Sequence, residues 1–540
     1  MNSHASPQCA RRLLMALAAI ASIIFIAGCS SGNIATPNNN GFTNSNLSGT
    51  YVISIAGTDV NLNAGTESFF TIVGTIQADG MGNIQGGTVD INDLNLGGTG
   101  VFTGQTVGKT NYSVSPDGRG TGTLSTPIAN FGLDFVLTSN DHGLITRFDG
   151  SGSGSGTLDL QGSATQSSLQ SLAFSLSGSD SGGNPLGTVG AFTLNSAGTV
   201  TTGVQDFNDA GSSGGIADLP IANTSSLVLT SGTNGTAQLN TDFGSFSFDV
   251  WVIDSTHLKF IETDGSGLAT SGDAFTQQTS FTAGQLVFAI GGADLGQDPV
   301  AAGGYATTDV NGNLINGFED YNNTGNAVPS VGFAGSCLTF VAGRCQLALT
   351  GFTNGLSSNL QFAAYPSSGG ILLLQDDSAG ITQGTAYAQT ATSFAQAGYG
   401  LNLSGVNACG NGTNCEVDTI AQFNAGSPTS NPNVTGILDE NDITTPNPHV
   451  SLSGLYTPDS PATGRGSISD NNIGTLIGTL NLEYYVVDPS DIVFIQVDTE
   501  QVSVGLFQLQ TSQQGGIKPQ VLTLHPVLRP RGAHAAWKHK

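Results

Sequence analysis

Gly87-Thr88-Val89-Asp90-Ile91-Asn92-Asp93 decides how this chain is read, because its pattern, Gly-x-x-Asp-x-Asn-Asp/Asn, returns three more times. The later copies begin at Gly203, Gly317 and Gly436. They carry Asp206, Asn208 and Asp209, then Asp320, Asn322 and Asn323, then Asp439, Asn441 and Asp442. The four glycines are 116, 114 and 119 residues apart. That interval is the size of one small domain, so the chain reads as four copies of a single unit. Other positions keep step with the motif. Asp79, Asn195 and Asp309 precede the first three glycines by the same distance. A later turn reads Gly118-Arg119-Gly120, Thr233-Asn234-Gly235, Gly343-Arg344-Cys345 and Gly464-Arg465-Gly466, and each unit ends in a glutamine: Gln161, Gln277, Gln389 and Gln510.

Within a unit the hydrophobic period is two. Phe131, Leu133, Phe135 and Leu137 fall on one face, as do Phe246, Phe248, Val250 and Val252, and Leu480, Leu482, Tyr484 and Val486. That is the period of a half-buried strand, and no amphipathic helix competes with it. In the first unit the spacing predicts strands at 50–58, 67–79, 83–92, 101–106, 112–115, 120–125, 131–138 with 143–148, and 156–160. Turn sequences such as Pro116-Asp117-Gly118 lie between them. The expected fold is all-β: four tandem antiparallel repeats, at 48–161, 170–278, 281–389 and 394–511. About eight strands close either as an up-and-down barrel or as an immunoglobulin-like sandwich. Short turns between successive strands favour the barrel, since a sandwich needs longer crossings.

The N-terminus supplies an address. Arg11 and Arg12 precede an uncharged apolar run from Leu13 to Ile26, too short to span a bilayer comfortably, and Ile26-Ala27-Gly28-Cys29 follows. This resembles the lipobox of bacterial lipoproteins, a resemblance confined to the first 29 residues. It implies that residues 1–28 are a cleaved signal peptide and that Cys29 becomes an acylated first residue. It further implies that the protein is held to a membrane without a spanning helix. Ser30 after the cysteine implies the outer membrane, with the protein facing periplasm or cell exterior. Residues 29–47 read as a flexible tether and 512–540 as a solvated basic tail.

Composition narrows the partners. Thirteen Lys and Arg stand against 39 Asp and Glu, for a net charge of −26, and two of the arginines leave with the signal. Such a surface repels phosphate backbones and argues against nucleic acid. Beyond Cys9 and Cys29, four cysteines form two close pairs, Cys337/Cys345 and Cys409/Cys415. These are read as local disulfides in an exported protein; a metal site would lack neighbouring histidines and Cys-x-x-Cys spacing.

The recurrent acids and amides have two readings. Asp90 and Asn92, Asp206 and Asn208, Asp320 and Asn322, and Asp439 and Asn441 alternate along a strand. Each pair could therefore turn oxygens toward one calcium ion. The other reading is an Asx-type turn accepting local backbone N–H groups. No further cofactor is expected. Arg119, Arg344 and Arg465 are expected to pair at the surface with Asp149, Asp376 and Asp498, contributing little. The segments Phe318–Tyr321 and Tyr484–Tyr485 are candidate carbohydrate-stacking aromatics. Catalysis has thin support: the repeats hold only His142, His257 and His449, and no nucleophile elbow, zinc-protease motif or phosphate loop occurs. The expectation is a non-catalytic, membrane-anchored extracytoplasmic lipoprotein. Its repeated β modules would serve adhesion, scaffolding or interaction with an envelope or extracellular glycan or protein. Alternatives are small-ligand or carbohydrate binding in barrel cavities, and a secreted hydrolase.

Overall fold

The computed structural model describes residues 40–61, 66–211, 214–409, 413–443, 445–475 and 478–512. The lipobox, Cys29 and the tail from 513 lie outside the described residues.

Four eight-stranded antiparallel β-barrels follow one another along the chain. The strands of barrel 1 are Ser48–Asn61, Thr66–Asp79, Asn83–Asp93, Val101–Thr106 with Thr110–Val114, Arg119–Ser125, Asn130–Leu137, His142–Asp149 and Gly152–Leu160. The fourth strand is broken in barrels 1 and 2 and continuous in barrels 3 (Asn326–Val341) and 4 (Thr445–Pro458). Barrel 1 closes because Ser48–Asn61 pairs with both Thr66–Asp79 and Gly152–Leu160, while Asn83–Asp93 pairs with both Thr66–Asp79 and the fourth strand. Barrel 2 closes through the Thr199–Ser226 bridge between its third and fourth strands.

Each barrel has its own apolar core, built from the alternate residues that the period of two assigns to one face. Phe131, Leu133, Phe135 and Leu137 point into barrel 1; Phe248, Val250 and Val252 into barrel 2; Leu480, Leu482, Tyr484 and Val486 into barrel 4. The segment leading into each barrel closes its end with an apolar side chain: Phe42, Leu169, Phe281 and Phe394. Residues 40–47 therefore do not behave as the expected tether, since Phe42 and Leu47 are buried in barrel 1 and Asn40 and Phe42 donate backbone hydrogen bonds to Pro116. Eight strands leave an interior just wide enough for side chains to fill. Barrel 3 retains an apolar cavity of about 40 Å³, ringed by Phe288, Phe333, Leu347, Phe352 and Phe362. An apolar cavity of roughly 150 Å³ is needed to hold a guest as small as benzene.

The barrels are not strung out as separate beads. The second strand of each packs on the last two or three strands of the next: 1 on 2, 2 on 3, 3 on 4, and 4 back on 1. Apolar clusters run across these seams. Val52 and Val73 meet Trp251 and Ile261; Val189 and Ala191 meet Tyr365 and Leu374; Ala289 and Ala301 meet Tyr485 and Ile495; Ile420 and Leu506 meet Val136 and Leu144. A head-to-tail interface that returns to its start makes a closed ring. At each seam a residue just past the end of one barrel donates its backbone N–H to the sixth-strand end or following turn of the next. These bonds run from Gly162 to Ile253 (2.7 Å), Gln278 to Pro366 (2.9 Å), Thr390 to Val487 (2.8 Å) and Thr511 to Thr138 (2.7 Å). The last has no chain connection behind it and closes the ring.

Successive strands alternate in direction, so the chain enters and leaves every barrel at one end. The second-to-third, fourth-to-fifth and sixth-to-seventh turns lie at that end too. The terminal glutamines place all four such ends on one face of the ring. Gln161, Gln277, Gln389 and Gln510 donate from Nε2 to carbonyls of the next barrel's fourth-to-fifth turn: Thr233 (3.2 Å), Ala342 (3.1 Å), Thr463 (3.1 Å) and Asp117 (2.8 Å).

Candidate functional site: the four interbarrel clasps

The repeated motif lies on the third strand of each barrel, and its Asp and Asn point out of that barrel into the seam with the next. In the seam between barrels 2 and 3, the Asp206 carboxylate meets the Arg344 guanidinium, with Nε at 2.9 and 2.7 Å from its two oxygens, and also accepts from the Tyr365 hydroxyl at 2.5 Å. Between barrels 3 and 4, Asp320 meets Arg465 at 2.7 and 2.9 Å and Tyr485 at 2.6 Å. Between barrels 4 and 1, Asp439 meets Arg119 at 2.9 Å. Between barrels 1 and 2, Asp90 accepts from the Trp251 indole at 3.0 Å.

Strand register explains the set. Arg119, Arg465 and Asn234 face Val136, Tyr485 and Trp251 across the fifth and sixth strands, and Arg344 with Tyr365 extends the same pairing in barrel 3. One cross-strand pair, varied four ways, thus reads one aspartate. Asn234 is too short to replace arginine, and Trp251 supplies the N–H instead. The second carboxylate oxygen caps a backbone N–H on the adjacent fourth strand of its own barrel: Gly104, Asp218, Ser330 or His449.

The motif asparagine is the second half of the clasp. Its amide nitrogen donates to carbonyls flanking the last turn of the next barrel. Asn92 reaches Glu262 and Leu268; Asn208 reaches Gln375 and Gly380. Asn322 reaches Gln496, Asp498 and Gln501, each at 3.0 Å, and Asn441 reaches Arg147, Asp149 and Gly152 at 2.8–3.3 Å. All eight motif side chains are buried.

These placements revise several expectations. The side chains do cap backbone groups, but on a neighbouring strand rather than in a local Asx turn, and the rest of each side chain crosses a seam. The four aspartates lie in four separate seams and share no pocket. Both oxygens of each aspartate take N–H or O–H donors. Of these eight side chains, the amide oxygens of Asn92, Asn322 and Asn441 are left without a hydrogen-bond partner among the described residues. Calcium takes six to eight oxygens. Among the described residues no group of three or more His, Cys, Asp or Glu is placed to hold a metal.

The expected surface pairs hold for one arginine of three, and none of them is a surface pair. Arg344 reaches Asp376 at 3.2 Å. Arg119 takes Asp117 and Asp439, while Asp149 takes Arg147. Arg465 takes Asp320, Asp459 and Glu483 rather than Asp498. Nor are the aromatic segments a stacking platform: Tyr484 fills the core of barrel 4, Tyr485 is sealed in a seam, and Phe318 alone is exposed, beside Tyr305. Cys337 and Cys345 form the expected disulfide. Cys415 is disulfide-bonded, and the side chain of Cys409 lies outside the described residues.

A polar knot forms where barrels 1, 2 and 4 meet. His142 bonds Asp159 at 2.6 Å and Gln508 at 2.8 Å, and Gln508 donates to Asp491. Nearby, Lys259 and His257 both hold Asp273, at 2.6 and 2.5 Å. Burial pushes the Asp159 carboxyl up, but His142, Lys259 and His257 outweigh it and hold it below the usual range. His142 thereby joins barrel 1 to barrel 4, while His257 pairs within barrel 2, with Asp273 and the Phe275 ring.

No family model matches the sequence, and no curated protein matches it. Among solved structures the chain is similar to isotype 1 transferrin binding protein B from serogroup B Neisseria meningitidis, with a TM-score of 0.18 and 11% identity over 69% of this chain and 84% of that one. It is also similar to a single-site mutant of transferrin binding protein B from Haemophilus parasuis Hp5, with a TM-score of 0.19 and 11% identity over 88% of this chain and 79% of that one. Scores at this level carry no argument about fold or activity here.

Proposed function

We propose that this chain is a non-catalytic envelope lipoprotein whose four barrels form one rigid ring, presented at the outer membrane as a platform for adhesion or scaffolding. One observation carries the reading. The residues that recur in all four units, which in an enzyme would line a cleft, are spent on joining barrel to barrel. A string of modules offers reach; a closed ring offers a fixed, broad surface, and burying polar groups with matched partners favours one arrangement over its alternatives. The lipobox at Ile26–Cys29 supports the anchor, and the acidic balance suits an envelope or extracellular glycan or protein better than nucleic acid. Mass spectrometry of the mature N-terminal peptide tests the anchor: diacylglycerol on Cys29 is expected, and an unmodified Cys29 would refute it.

A further inference from the structure

Barrel 3 differs from its siblings on its outside. From Tyr321 to Gln375, a stretch covering its fourth, fifth and sixth strands, Arg344 is the one charged residue, and it is buried in a seam. The same wall of barrel 4 carries Asp459, Asp470 and Glu483. At the end of barrel 3 the hairpin closed by Cys337 and Cys345 carries Leu338, Phe340 and Val341, exposed by 58%, 39% and 68%. The adjoining Val310 and Ile315 are exposed by 65% and 53%. Asp309, the nearest acid, is turned back onto its own turn, where it accepts from Asn311, Asn313 and the Asn313 amide. A cluster of large apolar side chains without charge is unusual on so acidic a surface and marks a contact.

Topology says which way it faces. The hairpin is a fourth-to-fifth turn, and these turns share the ring face where the chain arrives: Asn40 bonds Pro116 in the matching turn of barrel 1. Met81, exposed by 76% in the second-to-third turn of barrel 1, lies on the same face. Between Cys29 and Asn40 the chain can reach at most about 40 Å when fully extended. An anchor at Cys29 would therefore hold the ring by this face, within that distance of the membrane.

We infer that the entry face of the ring rests on the lipid bilayer, with the Cys337–Cys345 hairpin of barrel 3 dipping its apolar tip into the headgroup boundary. The far face, with the first-to-second and seventh-to-eighth turns, then points away from the membrane and meets partners. The inference rests on the lipid-anchored reading for proximity; the apolar patch stands independently of it. Covalent tethering supplies the high local concentration that makes a small apolar contact count.

The test uses the full acylated chain in phosphatidylcholine vesicles with brominated acyl chains. Tryptophan is placed at the hairpin by Val341→Trp, or on the far face by Leu295→Trp. Emission is read as the difference from the parent chain, which holds Trp251 and Trp537. Loss of V341W emission with L295W unchanged is the expected result. Equal loss at both positions, or none at V341W in acylated protein, overturns the bilayer contact. A chain found unacylated and free of vesicles overturns the anchored reading instead. A dimer in sedimentation that Val341→Asp abolishes, without quenching, gives the patch to a second copy and also overturns the inference.

Discussion

At the scale of single residues, the ring depends on buried carboxylates whose partners come from another barrel. Removing one partner of a buried ion pair leaves the other charge uncompensated, at a cost of about 3–5 kcal/mol. Asp206→Ala leaves Arg344, whose side chain is 6% exposed, with Asp376 alone, and is expected to cost about 3 kcal/mol of stability, the lower end of that range. Asp90→Asn keeps an acceptor for only one of its two donors, the Trp251 indole and the Gly104 amide, introduces no stranded charge, and should cost less, about 1–2 kcal/mol. Equal losses in the two variants, read by chemical denaturation, would contradict the clasp geometry. With both oxygens of Asp90, Asp206, Asp320 and Asp439 taking N–H or O–H donors, a chelator should leave the melting temperature unchanged, and a fall would support the calcium reading. Burial raises many acids: Glu319 to about 9, Glu262 and Asp134 to about 8, Asp376 and Glu483 to about 7, and Asp90 and Asp418 to about 6. In Asp376 and Glu483 burial outweighs the neighbouring arginine. The folded chain thus holds protons that the unfolded chain releases near pH 4. Stability falls as pH rises through about 6 to 9 and returns as pH falls again. Thermal melts should show a higher midpoint at pH 5.5 than at pH 8.5; the reverse order would contradict these burials.

At the scale of elements, the third strand serves two barrels, because its residues alternate between its own core and the seam. Asn441→Asp turns a donor into a carboxylate facing the carbonyls of Arg147, Asp149 and Gly152, and should cost about 3 kcal/mol. Asn441→Gln, which keeps the donor, should cost less; equal midpoints in denaturant would remove the amide from the account. Strand positions were legible in the sequence because period-two faces such as Phe131–Leu137 and turns such as Pro116-Asp117-Gly118 encode local geometry. The recurrence of Asp90, Arg119 and Gln161 was equally visible, but its purpose was not. A side chain on the outer face of a barrel strand looks the same in sequence whether it meets water or another barrel. Tyr365, Tyr485 and Trp251 carried the missing signal, since each puts a large aromatic on the face where an isolated barrel would place polar residues. The plug at Phe42 was hidden by the polar Asn/Ser/Thr stretch around it.

At the scale of the whole molecule, the three junctions along the chain could persist in an extended string, because short linkers hold neighbouring barrels together. The seam between barrels 4 and 1 has no such linker. It depends on Asp439 with Arg119, Asn441 with three carbonyls, Gln510 with Asp117, and the Thr511–Thr138 bond. It follows that weakening this seam alone should open the ring while leaving four folded barrels. Small-angle scattering of the mature chain tests closure most directly. A compact body of this many residues has a radius of gyration of roughly 23–25 Å, and the closed ring should fall close to it, lengthening in Asn441→Asp. A profile for the parent chain elongated well beyond that value, and unaltered by Asn441→Asp, would contradict the ring.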